Sequence, residues 1–260
     1  MSSRARTILI TVFVVTVFTA SGVAAARPSS GGLLPDIRAV VPTHLQLVNA
    51  HQRDVLRFSN GVANTGAGDW RMRPEYPSGN LVQNAVQEIL DANGNVVSEK
   101  VVSTFEYHPS HNHWHIGDVA LFEVRKGSPT GPVATPNLSL KVTFCLIDWY
   151  KLDDNSPTKE RTYWDCYNSY QGISPGWVDQ YHQSTDGQQL DITDIPNAND
   201  YYLVSTSNHA KVFIESDYTN NTAWVKFRLY QSSNGNRKIE VLEGSPCDSP
   251  GMCGLNSTNR

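Results

Sequence analysis

From residue 35 onward the apolar positions come in short runs broken by Gly, Pro, Asn and Asp, the spacing of strands rather than helices. Val55-Leu56-Arg57-Phe58 and Gly61-Val62-Ala63-Asn64 are short and turn-bounded. Val86 to Leu90 leads into Asn93-Gly94, a strong hairpin-turn signal, and Val96 to Phe105 returns. Further strands are expected at Val119–Val124, Leu190–Thr193, Tyr201–Thr206, Lys211–Glu215, Ala223–Tyr230 and Lys238–Leu242. The cleanest alternation is Leu138 to Leu146. It places Leu138, Leu140, Val142, Phe144 and Leu146 on one face, with Ser139, Lys141, Thr143 and Cys145 on the other. No long amphipathic helix and no repeat interrupts this pattern. The expectation is an all-β chain, an antiparallel β-sandwich.

Two stretches depart from plain strand patterning. Residues 105–115 read Phe-Glu-Tyr-His-Pro-Ser-His-Asn-His-Trp-His and hold half of the eight histidines. On an extended strand, alternate side chains leave one face about 6.6–6.8 Å apart. His111, His113 and His115 are therefore expected to converge on one ion from one side, with Trp114 and Ile116 turned into apolar packing. Three protein ligands leave a position open, the form of a catalytic rather than a structural metal site. The plainer alternative is a strand of histidines with satisfied ring nitrogens. The second stretch, Asp148 to Gln189, is irregular and crowded with Trp149, Tyr150, Tyr163, Trp164, Tyr167, Tyr170, Trp177 and Tyr181. A long connection of that aromatic density is expected to be ordered and to cover the metal site.

Composition adds a compartment. Arg4 and Arg6, the apolar run from Ile8 to Ala20 and Ala24-Ala25-Ala26 read as a secretory signal over residues 1–26. A linker over 27–34, a domain over 35–243 and a tail over 244–260 follow, so the mature protein is expected to be secreted, with no stable membrane anchor. Removing the signal takes the formal charge from −4 to about −6, which argues against a nucleic-acid partner and mildly favours cationic ones. Four cysteines in an exported chain suggest disulfides. Cys247 and Cys253 are close enough to staple a small loop, which would leave Cys145 to pair with Cys166, although four cysteines permit three connectivities.

Several ordered blocks resemble the lysyl oxidase family. An aromatic-Glu-aromatic-His lead-in to His-x-His-x-His occupies residues 105–115. Lys141, Phe144, Cys145, Leu146 and Asp148 match Lys-x-x-Phe-Cys-Leu-x-Asp. Residues 171–176 with Asp179 and Tyr181 match Gln-Gly-(Leu/Ile)-Ser-Pro-Gly-x-x-Asp-x-Tyr. Asp191-Ile192-Thr193-Asp194 and residues 215–221, Glu-Ser-Asp-Tyr-Thr-Asn-Asn, complete the series.

The resemblance implies a copper(II) site at His111, His113 and His115 and a cofactor, lysine tyrosylquinone, formed from Lys141 and Tyr181. Composition singles out neither residue. Such a quinone presents a carbonyl to a primary amine, releasing an aldehyde, ammonia and, with molecular oxygen, hydrogen peroxide. By the same resemblance Asp179 is the general base, and His108 the additional histidine beside the ligands, suited to hydrogen bonding or proton handling rather than direct ligation. Asp36, Glu215, Asp217, Asn220 and Asn221 would form a calcium site, against the alternative of an ordinary hairpin loop. Peptidyl lysine is one candidate substrate beside free lysine, diamines and other primary amines.

The chain also departs from the family. Ser110 stands where animal members carry a Cys, and other family cysteines near Asp148–Asp165 and Trp177 are missing, which makes Cys145–Cys166 the simplest pairing. The stretch Trp149–Thr162 is divergent. Two rival readings remain: an exported metal-binding β-sandwich without a quinone, and a mononuclear oxygenase. The second lacks a carboxylate at facial-triad spacing, since Glu123 is far from His115.

Overall fold

Asn93-Gly94 makes the turn expected of it. In the computed structural model Gly94 takes φ +81°, and Asp91 Oδ1 accepts the backbone N–H of Asn93 (2.8 Å) and of Asn95 (2.9 Å). The flanking strands are β4 (Val82–Leu90) and β5 (Val96–His108). The structure describes residues 31–50, 52–76, 80–134, 143–152 and 154–257. The signal reading at 1–26 and Lys141 lie outside the described residues, as does the first part of the linker.

The strands in chain order are β1 (Ile37–Ala50), β2 (Arg53–Asn64), β3 (Trp70–Pro74), β4, β5, β6 (His113–Ile116), β7 (Ala120–Lys126) and β8 (Tyr150–Lys151). They continue with β9 (Gln171–Ile173), β10 (Trp177–Tyr181), β11 (Gln189–Asp191), β12 (Ala198–Ser207), β13 (Thr222–Gln231) and β14 (Arg237–Gly244). One turn of helix, α1 (Pro250–Cys253), is the sole helix among the described residues, and no helix there is long and apolar enough to cross a membrane. The protein is all-β and antiparallel, in three sheets: β1-β2-β10-β8 with β11 on β2, β14-β13-β12-β7, and β6-β5-β4-β3-β9. All three face one core that includes Phe58 from β2, Phe105 from β5 and Leu203 from β12. Phe58 meets Phe122 edge-on at 5.0 Å between centroids, and Phe122 meets Phe144 at 6.4 Å, so ring contacts run from one sheet to the next.

Several expectations need correction. The two short strands at Val55–Phe58 and Gly61–Asn64 are one strand, β2. Ser59 and Asn60 read as a break, yet both are buried, and Asn60 Oδ1 accepts the Ser205 hydroxyl of β12 at 2.9 Å. Strand β1 escapes pattern reading because Pro42, bulges on both sides of Thr43 and a positive φ at His44 interrupt its alternation. Lys211–Glu215 is a loop, not a strand. Its backbone partners are side chains: Asn208 accepts from Phe213 N and donates to Phe213 O, while Gln87 accepts from Ile214 N (2.7 Å) and donates to Ile214 O (2.8 Å).

The described end of the Leu138–Leu146 alternation is also not a strand beyond one bridge, Ile116 to Phe144. Phe144, Cys145 and Leu146 are all buried, so no alternation survives. Here too side chains replace a ladder: Leu146 N donates to Gln171 Oε1, and the Cys145 backbone binds the Tyr181 hydroxyl. At the end of the expected linker Leu33 already bridges Leu90. The disulfides are Cys145–Cys166 and Cys247–Cys253. The first spans a sequence separation of 21, a loop whose closure restricts the unfolded chain by about 3 kcal/mol.

Candidate metal and cofactor site

The histidines sit on a hairpin, not on one extended strand. β5 ends at His108, residues 109–112 form a turn, and β6 starts at His113. Pro109 carries no N–H and Asn112 takes φ +56°, so the chain reverses there, and the N–H groups of His111 and Asn112 both donate to His108 O. His108 then faces His113 across the pair, and Glu106 faces His115. Alternation on two paired strands puts Glu106, His108, His113 and His115 on one face. Phe105, Tyr107, Trp114 and Ile116 take the other, where Phe105 stacks on Trp114 at 5.3 Å. Trp114 and Ile116 turn into the core as expected, whereas His111 reaches the others from the turn and not by strand alternation.

The four imidazoles crowd together. His113 Nε2 lies 2.8 Å from His115 Nε2, and donor atoms of His108, His111 and His115 all lie within 4.8 Å of one another. Imidazole nitrogens this close could converge on one metal ion, and imidazole is a donor that suits copper(II). The donor set therefore fits such an ion. His108, kept out of direct ligation by the sequence reading, has a donor atom within 4.8 Å of those of His111 and His115, although its Nε2 also meets Glu106 Oε1 at 3.1 Å. His115 is fully buried, and its Nδ1 meets Thr143 Oγ1 at 3.1 Å, which orients the ring and leaves Nε2 toward the cluster.

An open cleft of about 370 Å³ is lined by His111, His113, Tyr181, Ser184, Thr185 and Asp186. The Tyr181 ring meets the edge of Phe144 at 4.7 Å. Its hydroxyl donates to Cys145 O and accepts from Cys145 N, each at 2.8 Å. Burial, with the nearby Asp179 charge, pushes the Tyr181 pKa well above the ordinary phenol value, and the Cys145 hydrogen bond only partly offsets this. Asp179 lies two residues before Tyr181 on β10, on the same face, and is 2% exposed. It does not line the cleft itself.

Residues 81–237 match the family model described as Lysyl oxidase. The chain belongs to the lysyl oxidase family. It is 33% identical over 119 residues to lysyl oxidase homolog 1 of Homo sapiens, covering 45% of this chain and 19% of that protein. It is 28% identical over 178 residues to protein-lysine 6-oxidase of Sus scrofa, covering 68% and 57%, and 28% identical over 171 residues to the Homo sapiens protein-lysine 6-oxidase, covering 65% and 32%. The match to these lysyl oxidases thus spans between about a fifth and somewhat over half of their lengths.

In this lysyl oxidase family chain the segment between the disulfide cysteines is held by groups that pattern reading did not single out. Asp148 is fully buried and accepts from Thr162 N, Tyr163 N, Ser174 N and the Ser174 hydroxyl. Gln171 donates to Trp114 O, and Cys166 O accepts from Trp114 N, so residues after 160 cover the outer edge of β6. The aromatic stretch therefore borders the histidine hairpin, and its far end, Tyr181 and residues 184–186, lines the cleft.

The expected oxygen donors also assemble. Glu215 is buried. Its Oε2 accepts from Ile37 N (2.8 Å), and its Oε1 from Asn208 Nδ2 (2.5 Å) and Asn221 Nδ2 (2.7 Å). Asn220 Nδ2 reaches both Asp36 oxygens, at 2.9 and 3.2 Å. The Oδ1 atoms of Asn220 and Asn221 are buried without a hydrogen-bond partner among the described residues. Burial raises the Glu215 pKa, opposed by its asparagine and backbone bonds and reinforced by Asp36. Asp217 is half-buried and bonded to Thr219 N and Oγ1.

Proposed function

We propose that this chain is a secreted, copper-dependent amine oxidase that converts primary amines, peptidyl lysine among them, to aldehydes with release of ammonia and hydrogen peroxide. The observation that carries the reading is one cleft shared by Tyr181 and the imidazoles of His111 and His113. His111, His113 and His115 are the proposed copper ligands, with His108 beside them. Lys141 and Tyr181 are the proposed parents of lysine tyrosylquinone. When bound, the copper and the finished quinone supply the redox chemistry and an electrophilic carbonyl.

The remaining tasks fall to the chain. The Cys145 N–H and C=O hold the Tyr181 hydroxyl in one orientation, and Phe144 fixes the ring. The Thr143 hydroxyl meets His115 Nδ1 and orients that ring. Asp186, on the cleft wall, attracts the substrate ammonium. The Asp179 carboxylate is the proposed acceptor of the proton on the substrate's α-carbon. Glu106, bonded to His108 Nε2, offers that imidazole a proton partner. Asp36, Glu215, Asp217, Asn220 and Asn221 form a calcium site in this reading, in which the partnerless asparagine oxygens and the buried Glu215 find a cation.

The test is maturation with copper under air. The expected outcome is a visible quinone band, phenylhydrazine labelling and a crosslinked Lys141–Tyr181 peptide on mass spectrometry. Bound copper with none of the three would leave the metal-binding alternative.

A further inference from the structure

The aromatic stretch leaves several rings in water: Trp149 is 52% exposed, Trp164 65%, Tyr167 68% and Tyr170 43%. Two of them wall a second open cavity, about 310 Å³, together with Asp69, Arg71, Tyr163 and Asp165. The cationic groups here are already matched. Arg71 stacks 3.9 Å above the Tyr170 ring and its Nε lies 3.1 Å from Glu88 Oε2, while Arg73 pairs with Glu88 and Glu99. Two guanidinium groups and two glutamates offset each other. Asp69 and Asp165 make no ion pair among the described residues; their partners are the Tyr163 hydroxyl (2.8 Å) and the Tyr167 N–H (3.2 Å). Burial holds the Asp69 carboxyl above its usual range; the Tyr163 hydroxyl and the Arg71 charge only partly offset this, and Asp148 adds to it, so the carboxyl is desolvated with no direct ion pair of its own among the described residues.

We propose that this cavity docks a basic side chain of a polypeptide, with Trp164 as its aromatic wall and Asp69 and Asp165 as countercharge. A flat ring and a partly desolvated carboxylate together favour an alkyl-bearing cation over a neutral or anionic group. The site is coupled to the cleft through few bonds. Cys166 follows Asp165, is bridged to Cys145 (Cα–Cα 5.5 Å), and Cys145 holds the Tyr181 hydroxyl. The inference deepens the amine-oxidase reading by favouring basic polypeptides over small amines, and rests on that reading only for its kinetic test.

N-acetyl-arginine amide is the direct probe, because it is basic and carries no primary amine to oxidise. Titration of the copper-matured protein, followed by tryptophan fluorescence and calorimetry, should give saturable binding. Trp164→Ala should weaken it by about threefold or more at unchanged melting temperature, and Asp69→Asn should weaken it further. In turnover, Trp164→Ala should raise KM for a lysine peptide with basic neighbours and leave that for a small alkylamine unchanged. No binding by the wild type, equal binding by both variants, or equal binding of N-acetyl-alanine amide or an oligosaccharide would overturn the proposal. Absence of all amine turnover would count against the oxidase reading alone, since the binding titration decides the docking site without it.

Discussion

The two candidate ion sites are built in opposite ways. The imidazole cluster comes from residues 108–115, on one hairpin whose face is set by local alternation and a proline turn. The oxygen cluster joins Asp36 to residues 215–221, with sequence separations of 178 for Ile37 N to Glu215 and 184 for Asn220 to Asp36. A local site can take shape with its hairpin; a non-local one exists only after the sheet of β1 and the sheet of β13 have met. The first is therefore expected to govern chemistry, and the second to govern stability, by clamping the start of β1 to the loop before β13.

That contrast can be tested by mutation, beginning with the largest effects. Tyr181→Phe and His115→Ala should each reduce peroxide release to background. Atomic absorption should find copper retained in the first and lost in the second, while urea midpoints move little compared with a mutation at the oxygen cluster. Glu215→Ala leaves Ile37 N, Asn208 and Asn221 without their shared acceptor and should cost about 3 kcal/mol in denaturant unfolding, with copper stoichiometry unchanged. An unchanged urea midpoint would mean that this carboxylate does not clamp the sheets. Thr143→Val removes the hydroxyl that orients His115 and should lower copper affinity by about 10–100-fold in a competitive chelator titration.

The calcium reading adds a pH dependence. Burial holds the Glu215 pKa above its ordinary value of about 4.5, so its stabilising effect is greatest where it is protonated. Without a cation, unfolding free energy should fall as pH rises from that value through the folded pKa. Calcium binds the ionised form. The melting-temperature difference with and without calcium should thus be near zero at acid pH and open as pH rises; a constant difference would sink the site. Asp217→Ala, at a half-buried residue whose bonds go only to Thr219 two positions on, should produce the smallest change, a modest loss of calcium affinity with little change in metal-free stability.

Much of this was legible in the chain because the signals were local. The apolar runs in Val96–Phe105, Ala223–Tyr230 and Lys238–Leu242, and the Asn93-Gly94 turn, depend on neighbours in sequence, and β5, β13 and β14 formed there. The His-x-His-x-His spacing pointed to a cluster, although the hairpin, by opposing His108 to His113, brought in a fourth ring that alternation along one strand could not predict. Ser59 and Asn60 looked like a break because their partners are distant in sequence: Ser59 Oγ meets His44 Nδ1 and accepts from Gln183 N, and Asn60 accepts from Ser205 on another sheet. Lys211–Glu215 looked like a strand because Asn208 and Gln87, which take its hydrogen bonds, leave no periodic trace.

The sequence alone determined an all-β chain with a clustered set of histidines and four cysteines suited to disulfides, since β-propensity, turn chemistry and spacing are short-range properties. Only the tertiary structure decided that Tyr181 shares a cleft with His111 and His113, that its hydroxyl is held by Cys145, and that Asp36 meets Asn220. Those contacts depend on how three sheets pack around one core, and packing is a property of the whole chain rather than of any window along it.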